Sequence, residues 1–206
     1  MDESQVVMLQ GLGGTIALFV GFWFMIQLLD GNKLTNKLLL ALKQNLEVKL
    51  VRRKYFWQPN YLAGDLQGFP VKIFEYSPSD DSMAIAIRIT LPRQTFRFYM
   101  KKKAKRNFTK SEILTGVDQV DQHYLFKSID KGHVIPFLEH KEVLQILSDY
   151  GANFKVSDTI EIRRQYLYYF FPSTNITEKR KARFLKAVDF SLRLASYLTK
   201  YNHHSS

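Results

Sequence analysis

Five cations crowd into six positions at Lys101, Lys102, Lys103, Lys105 and Arg106, the densest charge in the chain. Charges of this type attract anionic lipid headgroups at about 1 kcal/mol each close to the surface. A partner protein or nucleic-acid phosphates would also answer them. The RNP, zinc-finger and GXXG patterns of base-reading modules are absent. The run is therefore read first as a solvated loop, next as a lipid or partner contact, and last as a nucleic-acid contact. A second cluster follows Arg163 and Arg164, where Tyr166, Tyr168, Tyr169, Phe170 and Phe171 could stack bases, since every base has a π-face. A strand covered on both faces explains these aromatics more simply.

Asp118, Asp121 and His123 are the candidates for a polar site, because carboxylates beside an imidazole can move protons. The plainer reading is a turn, since Asp and Gly in Thr115-Gly116-Val117-Asp118 bond their own backbone. His133 and His140, seven apart, are too distant for one ion, and no HExxH, P-loop, nucleophile elbow or kinase loop set occurs. Zero cysteines exclude a disulfide scaffold, thiolate metal sites and a cysteine nucleophile. A triad assembled from distant segments is invisible to a linear reading. No metal or cofactor is expected, and an enzyme is the less favoured class.

The elements that must carry these residues follow from periodicity. Leu34, Leu38, Leu42 and Leu46 have amphipathic helix spacing. Gly64 to Gly68 is turn chemistry, and Phe69 to Tyr76 reads as a strand. Alternation predicts strands over 83–91 and 96–100, joined as a hairpin through Pro92-Arg93-Gln94. Further strands are expected at His123 to Ile129 and, as one element, Ile160 to Phe171. Pro136 is expected early in a helix whose stripe of Val143, Ile146, Leu147 and Tyr150 ends at Gly151. Asn175 and Glu178 have cap-box spacing before a last helix faced by Phe184, Val188, Leu192 and Ala195.

The chain of 206 residues, 46% hydrophobic, has enough apolar material for one domain with appendages, and wholesale disorder is excluded. Its net charge of +11 is unevenly placed, because residues 1–30 hold three acids and no base. Val6 to Leu29 has no ionisable side chain and, as a helix, would run roughly 36 Å, long enough for a hydrocarbon core of ~30 Å. Seven bases lie between Gly31 and Lys54, which predicts a cytoplasmic C-terminal side. Gly13, Ala17 and Gly21 recur every four residues and would let a second helix approach within the membrane.

The expected fold class is α+β, an N-terminal single transmembrane helix followed by a two-layer domain with a mostly antiparallel sheet packed against helices. Residues 1–30 form the short external N-terminus and span, 31–202 the cytoplasmic domain and 203–206 a tail. The apolar helix, the Gly64 and Gly68 turn, the strand meander, then Thr115-Gly116 with Asp121 and Tyr124, resemble uncharacterised bacterial membrane-anchored α+β domains across roughly residues 38–200. Val117 after the glycine and Val120 before Asp121 depart from that pattern. The resemblance implies a fold and an anchor, with no known activity. The expected role is an accessory or scaffold subunit of a membrane assembly, single-pass in the cell inner membrane, whose partners are the membrane and other membrane-protein subunits or further copies of itself. A membrane-bound enzyme and a membrane tether for nucleic acid are the alternatives.

Overall fold

The computed structural model describes residues 19–22, 39–52, 60–79, 82–92, 96–103, 112–155, 157–171 and 177–204. Within them, one antiparallel sheet holds β1 (Lys49–Val51), β2 (Tyr61–Leu66), β3 (Phe69–Ser79), β4 (Ser82–Thr90), β5 (Phe98–Lys102), β6 (Tyr124–Lys127), β7 (Thr159–Arg163) and β8 (Tyr166–Phe171). Their order across the sheet is β1-β2-β3-β4-β8-β7-β5-β6. The helices are α1 (Asp118–Asp121), α2 (Lys131–Glu139), α3 (Lys141–Tyr150) and α4 (Glu178–His204), and residues 19–22 and 39–43 are also helical.

Period-two alternation decides which side of the sheet is covered. Ile85, Ile87 and Ile89 of β4, Leu167, Tyr169 and Phe171 of β8, Ile160 and Ile162 of β7, and Phe98 and Met100 of β5 are all buried. Phe184, Val188, Phe190 and Leu194 of α4 and Phe137 of α2 are buried with them, and rings meet between the layers at Phe171–Phe184 and Phe98–Phe137. Full burial of such a side chain contributes about 1.5–3 kcal/mol, so this seam dominates the packing. The two-layer α+β expectation for the folded part agrees with this arrangement.

The helix expected from Pro136 to Gly151 is broken at His140 into α2 and α3, with Pro136 inside α2, and the strand connections differ from the linear reading in two places. The predicted hairpin between 83–91 and 96–100 does not form. β4 lies between β3 and β8, and β5 pairs with β6 and β7. With both edges of β4 already paired, no position beside it remains for β5. The predicted single strand from Ile160 to Phe171 is two strands folded at Arg164–Gln165, with Arg164 at φ 55. Neither Gly, Asn nor Asp marks that turn, so the usual hairpin signal is missing. At Gln67–Gly68 both φ values are positive, 53° and 82°, as a two-residue hairpin turn requires. Gly64 belongs to β2 instead of the turn.

The predicted N-terminal membrane helix is corrected. No helix among the described residues is long and apolar enough to cross a membrane. Of the stretch from Val6 to Leu29, only 19–22 lies within the described residues, about one turn of helix. α4 has the length, 27 residues, but its exposed side carries Lys186, Asp189, Arg193 and Lys200, side chains a hydrocarbon core excludes. The single-pass inner-membrane placement with a cytoplasmic C-terminal domain depended on that span and is not upheld. Gly13 and Ala17 lie outside the described residues. A Cβ at Gly21 would meet no atom of the described residues within 4 Å. α4 continues through His204, into the stretch expected as a tail.

Candidate functional site

β8 positions the side chains of most interest. Its inward residues Leu167, Tyr169 and Phe171 are buried, while Tyr166, Tyr168 and Phe170 point the other way and stay half-buried. The described helices pack on the first side, so the outward column lies on a face that no described helix covers. The aromatic run is thus split by alternation, half core and half surface. Tyr168 and Phe170 are parallel, 2° apart with centroids at 5.8 Å, and Tyr166 follows at 5.9 Å from Tyr168.

The column extends sideways because β4 is small on that face. Phe170 pairs with Ala86, and Tyr76 of β3 pairs with Ala84. Both alanines are buried, and the Tyr76 and Phe170 rings close over β4 to 4.8 Å. Two residues further along β4, the Arg88 guanidinium sits 4.8 Å from the Tyr166 ring centre, and its buried Nε has no hydrogen-bond partner among the described residues. Lys72 lies 4.0 Å over Tyr61 and 5.2 Å from Phe74. One register row reads Lys49, Ala63, Lys72, Arg88, Tyr168, Glu161, Tyr99 and Lys127 across all eight strands. Four cations against one carboxylate make this face basic as well as aromatic.

A buried polar network fixes β8 from behind. Asp158 is fully buried, and its Oδ2 accepts from Arg183 Nη1 at 2.7 Å, Lys155 N at 2.8 Å and Tyr169 Oη at 2.9 Å. With the Tyr169 proton committed to Asp158, Tyr150 donates to Tyr169 Oη across 3.0 Å. The chain ties the approach to β7, β8, the end of α3 and the start of α4. Burial raises the Asp158 carboxyl above the ordinary carboxylate range, against the pull of Lys155 N–H, Arg183 and Tyr169. Burial also pushes the Tyr150 phenol up to about 12 and holds Tyr169 well above its usual value. Arg183 in addition lies 4.0 Å from the Phe171 ring centre.

The side chains singled out in the sequence are placed differently. Lys101 and Lys102 belong to β5 itself. Lys102 Nζ donates to Gly151 O at 3.2 Å, and burial followed by Lys155 lowers its pKa while Asp158 raises it. Lys103 pairs with Glu112 at 2.8 Å and donates to Asp121 O at 3.1 Å. Lys105 and Arg106 lie outside the described residues. Asp121 caps the Thr115-Gly116 turn, its Oδ1 accepting from Thr115 N and Oγ1 at 2.9 Å and its Oδ2 from Gly116 N at 3.0 Å. Asp118 is the exposed first residue of α1. His123 packs beside Gly151, where a Cβ would come within 3.2 Å of its ring. These three side chains build a turn and a helix contact, and they do not converge on a common point. Among the described residues, no cluster of three or more His, Asp or Glu side chains could hold a metal ion.

No family model matches this sequence, and no curated protein matches it. Among solved structures, the chain is similar to the crystal structure of the mycobacterial trehalose monomycolate transport factor A, TtfA. The TM-score is 0.54 at 10% identity, over 80% of this chain and 94% of that one. The two chains share a fold.

Proposed function

We propose that this protein is a non-catalytic accessory factor that docks an acidic partner protein on the uncovered face of its sheet. The observation that carries the reading is the outward half of β8, where Tyr166, Tyr168 and Phe170 are all aromatic and stand beside Arg88. Tyr and Arg dominate the energetic centres of protein interfaces because they bury large, rigid, amphipathic area. The half-buried Arg88 guanidinium stacked beside Tyr166 supplies the positive charge that a carboxylate on the partner would answer. The fold shared with TtfA, titled a transport factor, supports an accessory role in a transport assembly.

A photocrosslinking residue at Tyr168, in intact cells of the source organism, tests this against a control at Lys186 on the exposed side of α4. The expected result is one protein adduct at 168 that is absent at 186 and lost when Arg88→Glu is added. Equal adducts at both sites would overturn the reading. A nucleic-acid adduct at 168 would replace it with stacking of single strands, which the same aromatics and cations suit.

A further inference from the structure

We infer that a groove at the β5, β6 and β7 end of the same face binds a small amphiphilic oxyanion, a phosphate or carboxylate joined to an apolar body. The groove has a volume of about 490 Å³ and is lined by Arg97, Lys127, Ser128, Ile129, Glu161 and Arg163 among others. That volume falls within the range of roughly 300–1,000 Å³ usual for small-molecule sites.

Its chemistry divides into two parts. Arg163 forms an ion pair with Glu161 and is thereby neutralised. Arg97 and Lys127 have no ionic partner among the described residues, so two positive side chains face the groove uncompensated. Ile129 supplies the apolar part. It is 88% exposed beside the two cations, so its side chain is free to contact the apolar body of a bound molecule. An inorganic anion would leave Ile129 in water, and a neutral apolar molecule would leave the two cations unanswered. One ligand carrying both parts satisfies the whole lining.

The walls are also held in place before any ligand arrives. Ser128 Oγ donates to Arg97 O, joining the end of β6 to the start of β5, and accepts from Asp130 N at 3.0 Å. That bracket fixes the backbone on both sides of Ile129, and a preformed site loses less entropy on binding.

The groove shares Tyr99, Glu161 and Lys127 with the basic row, but its argument uses neither the Tyr166, Tyr168 and Phe170 column nor Arg88, so it does not depend on the docking reading. The test is equilibrium dialysis of the full chain with dodecyl phosphate and dodecanoate, each below its micelle concentration, with inorganic phosphate and dodecanol as controls. Saturable one-to-one binding of at least one amphiphile is expected. The double variant Arg97→Glu with Lys127→Glu should weaken it at least about tenfold, the factor lost with a charge-assisted hydrogen bond. Ile129→Ser should weaken the amphiphile several-fold, and Tyr168→Ala should leave it unchanged while removing the docking anchor. Circular dichroism of each exposed-residue variant checks that the sheet is intact. Inorganic phosphate binding as tightly as dodecyl phosphate, unchanged affinity in the charge-reversed variant, or no saturable binding would each overturn the proposal.

Discussion

Asp158 carries more of the structure than any other single polar side chain described, because three donors from different segments converge on one of its oxygens. Removing one partner of a buried pair leaves the other uncompensated. With Arg183 partly exposed, Asp158→Ala is expected to cost about 3 kcal/mol in urea unfolding. Its pH dependence has a definite sign. A carboxyl raised by burial binds its proton more tightly folded than unfolded, so its contribution favours the folded state below the unfolded value and is lost as pH rises through the raised one. Asp158→Asn cannot titrate, so wild type should gain stability relative to this variant as pH falls toward the mildly acidic range. A difference independent of pH across that window would show that the carboxyl is not raised. Gly64 makes a separate residue-scale case. A Cβ there would lie 2.9 Å from the Glu47 carbonyl and 3.1 Å from Val48 Cα, both backbone atoms that cannot swing aside. Gly64→Ala should cost about 1–3 kcal/mol, the range for overpacking, read from the denaturation midpoint. Turn chemistry at Thr115-Gly116-Val117-Asp118 marked a capped turn, but the carboxylate that caps it is Asp121 and not Asp118, and the Asp158 network left no such mark, since its members are far apart in sequence.

At the scale of elements, β8 places two chemistries on one strand through its pleat. Side chains one residue apart sit on opposite faces, so adjacent aromatics have opposite roles. Phe171→Ala, which empties a core position against Phe184, should cost roughly 3–5 kcal/mol. Tyr168→Ser on the outer face should cost no more than about 1 kcal/mol, the worth of a cross-strand pair. Chemical denaturation of the two variants measures both, and similar losses would mean that the outer face is also packed core. The alternation of β4, β5 and β7 was legible because apolar and polar residues trade places there. In β8 both sets are aromatic, so no contrast in polarity marks which is which. The turn at Arg164–Gln165 was hidden for a related reason, the lack of a residue that favours positive φ.

For the whole molecule, β8 is the strand that joins two sub-sheets, β1 to β4 on one side and β7, β5 and β6 on the other. A chain ending at Arg163 would lose β8, α4 and with them the only described pairing between those halves. Such a truncation should show no single cooperative thermal transition by circular dichroism, whereas the full chain should show one. The basic outer face has its own whole-molecule consequence. Docking that depends on Arg88 and its neighbouring cations should weaken as ionic strength rises, because exposed charges are screened over about 8 Å at physiological salt. Partner affinity measured across a salt series checks this, and a flat series would place the binding energy in the aromatics alone.

Periodicity and turn residues by themselves determined the two-layer α+β class, most of the strands, and the buried stripe of the last helix, because each is set by neighbours within a few residues. The long apolar stretch at the start led the same kind of reading to a spanning helix, which the described helices do not support. Tertiary structure alone decided that β8 enters between β4 and β7, that Ala84 and Ala86 let rings close over β4, and that Arg97, Lys127 and Ile129 share one groove. Pairing across a sheet is chosen by which faces fit after the chain has returned on itself, and that choice leaves no local mark in the sequence.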